Sequence, residues 1–536
     1  APVITSLTAG SGDIHVDLQR NAEQTVTIGR VDASSTGDVD LALNAGTLST
    51  TSLIDGRSVS LNVGGELLMQ AASELQATGV ASGTENGIVI NAAGSITLPR
   101  ASSAGGDVVI NGGNHLVLGR LVTGSGDVTL TVNGNVTDAN SVGSGLAESE
   151  NIVSTSGAVA ISASNIGSAA EDLDISAVSI PLLDARVGDV HANLRRAAGQ
   201  TATVGTLSAV SGAATLSMDG GALVLNNATT LNDLGVSVNG SGTATGLGVG
   251  NLNVGGGATL IATGGAIVQS AGTTIVLDNA ARTAVISAGN ASATTYAITL
   301  DGAGNDFANV QLTGSNVTLT DIDGINLAAS TVTGNLVLNA GGPVTDSGVL
   351  QVSGTARVVT TGADSAITLD SNNNFGGALS IDTLSNVTIN DSNGVVFGAS
   401  SIGGNLSLTA GGSVTDTGNV TVSGASLFTV GAGNDLTLDN TNNFGGGVTI
   451  ASARNVLLND TNSINIASAT ISGDLTLNAV GRISQATAMT VAGATTLSAT
   501  LSTGSTSFGA LDNNISLAQA NDFGGTVRIL AGGVVT

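Results

Sequence analysis

The sequence contains no cysteine, no lysine and no tryptophan, with one tyrosine and four prolines in 536 residues. Without cysteine there is no disulfide framework, no thiolate metal site and no thiol nucleophile. A cysteine-free chain is also easily exported unfolded, although a chain that lost cysteine by drift would look the same. Without lysine the phosphate-binding Gly-x-x-x-x-Gly-Lys loop cannot be assembled. Aromatics make up 1% of the chain, which excludes an ordinary core filled by large rings. No run of about 18 apolar residues occurs, so no membrane-spanning helix is expected, and there is no basic amphipathic stretch to lie on a bilayer. Basic charge is scarce too: thirteen arginines face 39 acidic residues, for a net charge of −26. Such a surface repels phosphate backbones and anionic membranes, so the expected partners include no nucleic acid and no membrane.

What is abundant is Gly, at 77 residues, together with small and β-branched apolar residues in a chain that is 41% hydrophobic. Disordered chains are poor in these apolar residues. A single compact core of this length would normally split into domains. A solenoid escapes that limit, because each coil packs only on its neighbours.

Internal repeats carry most of the information. Asn-Asp-Phe or Asn-Asn-Phe recurs with Phe at 307, 375, 444 and 523, and the last three are followed by Gly-Gly. The spacings are 68, 69 and 79. Gly334-Asn335-Leu336 is answered by Gly404-Asn405-Leu406 and Gly473-Asp474-Leu475. Taking Val317, Leu336, Ile367 and Val387 as equivalent strand positions gives steps of 19, 31 and 20. Two short coils and one longer coil would explain them, the longer one carrying a loop or being two tight coils. The third unit absorbs ten extra residues between Leu475 and Phe523. In the amino-terminal half, Gly12-Asp13-Ile14-His15 reappears as Gly188-Asp189-Val190-His191 at an offset of 176, which reads as a segmental duplication. Gly-Asp-Val also opens strand-like runs at Gly37, Gly106 and Gly126. All seven Phe lie from Phe307 onward, so two repeat styles are expected: residues 1–230, transition coils at 231–290, and the Phe-bearing repeats at 291–536.

Runs such as Asn-Leu-Ser-Leu-Thr (405–409) alternate with period two, which puts apolar residues on one face of a strand and polar ones on the other. Gly, Asn and Asp clusters between runs are turn formers. Helical spacing is missing. The expected fold is an all-β, right-handed parallel β-helix with coils of about 20 residues, drawn out as a rod of roughly 120 Å at the sheet spacing. The recurrent Phe is expected inside, as a stacking residue or turn-side plug.

These motifs, Gly-Asn-Leu-Ser-Leu-Thr-Ala-Gly-Gly and Asn-Asn-Phe-Gly-Gly above all, resemble the shafts of filamentous-haemagglutinin-type exoproteins. The resemblance covers essentially the whole chain and is one of repeat style; the amino-terminal secretion domain of that family, with its Asn-Pro motifs, is not in this sequence. It implies a secreted or cell-surface bacterial adhesin stalk, exported with an outer-membrane secretion partner. It also implies attachment to extracellular polysaccharide or a cell-surface receptor through other parts of a longer parent, to which both ends of the sequence point. Stalks that deliver a carboxy-terminal toxin share this style.

No constellation for catalysis stands out. His15, His115 and His191 are far apart, and the acids are spread by the repeat, so a carbohydrate-cleaving β-helix is the enzyme alternative rather than the expectation. No cofactor is expected, with calcium as the one candidate. Asp321-Ile322-Asp323-Gly324 aligns with Asp391-Ser392-Asn393-Gly394 and Asp460-Thr461-Asn462-Ser463. Asp321, Asp323, Asp391 and Asp460 are therefore the calcium candidates, since Asp-x-Asp-Gly is how an oxygen-lined calcium loop begins. The bidentate Glu that closes such a loop is missing, because the last Glu is Glu171. Asx-turns explain the same residues without a metal.

Overall fold

The structure, a computed structural model, describes residues 2–79, 85–140, 150–240, 244–277, 279–289, 294–501, 513–531 and 533–536. The chain forms two units. The amino-terminal unit comprises Ala1–Asn279 with Ser287–Thr294, the carboxy-terminal unit Ala280–Ile286 with Thr295–Thr536. The division falls at the carboxy-terminal edge of the stretch 231–290. Each unit is an all-β parallel β-solenoid, and no helix occurs among the described residues.

Coil stacking follows from strand alternation. In the amino-terminal unit, Val39–Leu43 pairs in parallel with Val59–Val63, which pairs with Asn86–Ala92, then Asp107–Gly112, then Val128–Val132. Leu41, Leu61, Ile90, Ile110 and Leu130 fall in one column and are all buried. A four- or five-residue strand cannot cover its own apolar face; the next coil does so, at about 1.5–3 kcal/mol per buried Leu or Ile. The residues between them point outward, and one such column runs Asp17, Ala42, Asn62, Asn91, Asn111 and Thr131. Coil length varies along this column. Asn91 meets Asn111 after a short coil, whereas Thr131 meets Ser162 after a much longer one.

The duplication at an offset of 176 is local and does not keep stacking register. Seven coils carry the Asp17 column to Asp184, and the eighth reaches Ser208. The duplicate of Asp17 is Asn193, which stacks on Asp174 and Ser217 instead. The copied segment therefore lies on another face of the solenoid.

In the carboxy-terminal unit the long repeat is likewise not a whole number of coils. Val317–Asp321, Leu336–Ala340, Ala356–Thr360 and Ala378–Thr383 stack in turn. The equivalent strands of the next repeat are Val387–Asp391, Leu406–Ala410, Ser426–Thr429 and Gly447–Ala453. Those of the third are Val456–Asp460, Leu475–Val480, Thr495–Thr500 and Val527–Ala531. Val387–Asp391 sits only a turn beyond Ala378–Thr383, yet it stacks on Ile367–Phe375. Each repeat thus makes three coils and part of a fourth, and hands its longer strand to another face.

That geometry corrects the assumed equivalence of Leu336 and Ile367. Leu336 pairs with Ala356, whereas Ile367 pairs with Val344. The step from Leu336 to Ile367 is one ordinary coil, ending at Ala356, followed by the stretch 357–366 that carries the chain to another face. No long coil is needed. The ten residues that lengthen the third repeat fall largely at 502–512, outside the described residues.

Candidate functional site

The handover between repeats creates a polar problem, and the aspartates singled out by the sequence solve it. Ile367–Phe375 receives two short strands of the preceding coil, Val344–Asp346 and Leu350–Val352, and passes them to the single strand Val387–Asp391. Register slips at this merger: Leu369 faces Ile389, but Asn373 faces Asp391. Asn372 absorbs the slip with φ of 57°, a left-handed conformation that Asn tolerates. A buried N–H cannot be left without an acceptor cheaply. The Asp391 side chain serves, Oδ2 accepting from Phe375 N at 2.9 Å and Oδ1 from Asn393 N at 2.8 Å.

The same latch occurs in each repeat. Asp321 accepts from Phe307 N at 2.6 Å and Asp323 N at 3.0 Å. Asp460 accepts from Phe444 N at 3.1 Å and Asn462 N at 2.8 Å. All three aspartates are buried, and so are Phe307, Phe375 and Phe444. Phe444 meets Phe428 edge to face, with ring centroids 6.1 Å apart. Phe523, the fourth of the series, is only half-buried.

A second group sits two residues before Phe375, Phe444 and Phe523. Asn373 accepts from Leu350 N at 2.7 Å and donates to Asp346 at 2.7 Å. Asn442 does the same with Val420 N and Asp416, both at 2.7 Å. Asn521 accepts from Met489 N and donates to Gln485, both at 2.9 Å. The Asn-x-Phe motif is plain in the sequence, but not that Asn373 and Asn442 are buried and pin the coil beneath.

Electrostatics mark the latch as a costly place for charge. Burial pushes the Asp321 carboxyl up to about 7, with backbone N–H donors pulling it down and neighbouring Asp323 adding to the rise. Burial pushes Asp460 up to about 6 and raises Asp391 as well, again opposed by N–H donors. At the exposed edge the opposite holds: hydrogen bonding to Arg454 takes Asp435 down to about 2.

Of the four calcium candidates, Asp321, Asp391 and Asp460 turn their oxygens to backbone N–H groups, and each lies in its own repeat. Asp323 is exposed on the turn beside Asp321. The structure does not bring the three repeats' aspartates together. Among the described residues no group of three or more His, Cys, Asp or Glu side chains is gathered to hold a metal ion. The histidines are also separate. His15 Nδ1 lies 2.9 Å from Asp40 on the surface, and His115 Nδ1 accepts from Asn135 N at 3.0 Å.

The Gly-Asp and Gly-Asn landmarks are coil-to-coil caps. Asp127 N donates to Asp107, and Ala158 N, one coil further on, donates to Asp127. Asn316, Asn335 and the N–H of Thr355 continue the pattern in the other unit. The preceding glycine is forced by close approach: a Cβ on Gly37 would lie 2.0 Å from the carbonyl oxygen of Gly12.

Three consecutive segments, 314–382, 384–451 and 453–530, match a family described as repeats of unknown function (DUF5649), together about two-fifths of the chain. Their boundaries fall where the longer strand changes face. No curated protein and no solved structure matches the chain.

Proposed function

We propose that this chain is a spacer segment in the stalk of a large secreted or cell-surface bacterial adhesin of the filamentous-haemagglutinin type. It holds an attachment region away from the cell and has no catalysis or cofactor of its own. The observation that carries this reading is the use made of the buried polar groups. Asp321, Asp391, Asp460, Asn373 and Asn442 are all turned to neighbouring coils, and the same arrangement is repeated along the chain. A reactive site concentrates such groups once; a spacer multiplies one stacking device. The acidic surface opposes lateral sticking between stalks. Export through an outer-membrane partner and attachment to polysaccharide or a receptor belong to the same proposal.

The test is to display the full chain on a bacterial surface beneath a tip domain of known binding, with and without residues 384–451. That deletion removes one whole repeat, so the flanking handovers still match. The tip should sit closer to the cell by about three sheet spacings, roughly 15 Å, with its binding retained. Unchanged tip height would sink the spacer reading, as would polysaccharide cleavage by the purified chain, with or without calcium.

A further inference from the structure

The outward column Asn62, Asn91, Asn111 and Thr131 borders a groove that the spacer role does not require. Asn91 Nδ2 donates to Asn62 Oδ1 at 2.8 Å, and Asn111 Nδ2 donates to Asn91 Oδ1 at 2.8 Å. Across from these rungs lies the first turn residue of each coil, among them Asn44, Gly64, Gly113 and Asn133. Between them is an open cavity of about 640 Å³ that runs over the buried strand ends. Two of its bank positions can hold no side chain: a Cβ on Gly64 or Gly113 would lie 1.9 or 2.0 Å from the carbonyl oxygen of the coil beneath. The bank is therefore bare at these two positions, with Asn44 and Asn133 at its ends, while the Asn rungs line the opposite side.

We infer that this groove binds a neutral, extended polysaccharide, laid along the solenoid with one sugar ring per coil. Three features point to that ligand. A primary amide has two donors and two acceptor lone pairs; a rung such as Asn91 spends one of each on its neighbours, leaving an N–H and a lone pair for the groove. That is the pair a sugar hydroxyl, both donor and acceptor, requires. The rungs repeat at the sheet spacing of about 4.8 Å, close to the advance of one ring in an extended glycan. From Ala42 to Thr131 the column spans four coil steps, roughly 19 Å, enough for a short run of rings. A negatively charged glycan is disfavoured by the net charge of −26 and by Asp17 at one end of the groove. With no aromatic platform, each ring contributes little and affinity must grow with chain length. This inference is independent of the spacer reading, since a stalk without the groove would still hold its tip away.

The test is calorimetric titration of the full chain with neutral hexasaccharides of β-1,4-linked glucose, N-acetylglucosamine and mannose, their trimers, and hexagalacturonate as the charged control. At least one neutral hexamer should bind, at least tenfold more tightly than its trimer, and hexagalacturonate should not. Thr131→Trp, which fills the groove from an exposed position, should weaken hexamer binding about tenfold or more, the equivalent of about 1.4 kcal/mol, with an unchanged circular dichroism spectrum. Asn91→Ala with Asn111→Ala should do the same. Asn459→Ala with Asn478→Ala, which removes a shorter Asn pair in the other unit, should leave affinity within twofold. The proposal is overturned if no neutral hexamer binds at millimolar concentration, if trimer and hexamer bind alike, or if hexagalacturonate binds better. It is equally overturned if folded Thr131→Trp binds as well as the parent, or if the Asn459/Asn478 variant is the one that loses binding.

Discussion

The amino-terminal and carboxy-terminal units solve the same stacking problem with different polar devices. In the amino-terminal unit, Asp107, Asp127 and Asp189 cap the next coil from the surface, where water shares the work. Coils there vary widely in length. In the carboxy-terminal unit, successive coils from Val317 to Thr496 keep nearly the same length. Its repeats add the buried Asp–Phe latch at each change of face. A buried device fixes register more strictly, since a slip strands N–H groups away from water. From Val317 to Thr496 regular coil length accompanies the Asp–Phe latch, whereas the amino-terminal unit buries a different group, Asn151, which donates to Leu118 O and Gly119 O across a long coil.

The sharpest way to break this contrast is to remove the ring at the latch. Phe444→Ala opens a cavity against Phe428 and should cost about 3–5 kcal/mol. Because solenoid stability is passed mainly between neighbouring coils, the loss should centre on residues 420–471 and leave the amino-terminal unit unaffected. Hydrogen exchange followed by mass spectrometry, segment by segment, measures this. Loss of protection spread evenly over both units would show that the latch has no local role.

A smaller effect compares the two devices directly. Asp391→Ala leaves the buried Phe375 N–H without an acceptor and frees Asn393 N, at a cost of about 2 kcal/mol. Asp127→Ala removes an exposed cap from Ala158 N, which water can replace, and should cost about 1 kcal/mol or less. The measurement is local exchange protection at Phe375 and Ala158 in each variant. Equal losses would mean that burial does not distinguish the devices.

Much of this could be read in the residues. Val, Leu and Ile at alternate positions gave the strands, and Gly-Asn-Leu gave the period. The direction of Asp321 was also there: in Val317-Thr318-Leu319-Thr320-Asp321, period two puts Asp321 on the same face as Val317 and Leu319, that is, inward. Reading Asp321-Ile322-Asp323-Gly324 as a turn or the start of a calcium loop hid that signal. Asn373 could have been found likewise, two residues before buried Phe375 on the same strand. The change of face could not. Leu336 and Ile367 look alike because each starts an inward-facing run, and only pairing shows that they join different ladders. The groove was hidden for a similar reason, since Asn62, Asn91 and Asn111 are separated by unequal steps along the chain and only stacking aligns them.

The smallest effect sharpens the comparison through pH. Burial raises the folded-state pKa of Asp321 to about 7 and of Asp460 to about 6, against an ordinary value of 3.8. A raised folded-state value means that the folded form binds the proton more tightly. The resulting stability is fully present below pH 3.8 and is lost as pH climbs through 6 to 7. The latch segments of the carboxy-terminal unit should therefore gain exchange protection, corrected for the intrinsic pH dependence of exchange, when pH falls from 8 to 5. The amino-terminal unit, which caps its coils with exposed aspartates, should change less. Asp321→Asn, Asp391→Asn and Asp460→Asn together keep an acceptor oxygen at each latch but have no proton to gain, so they should flatten the response. A response that survives in this variant would trace instead to the general easing of repulsion among 39 acidic residues, and would remove the latch as its cause.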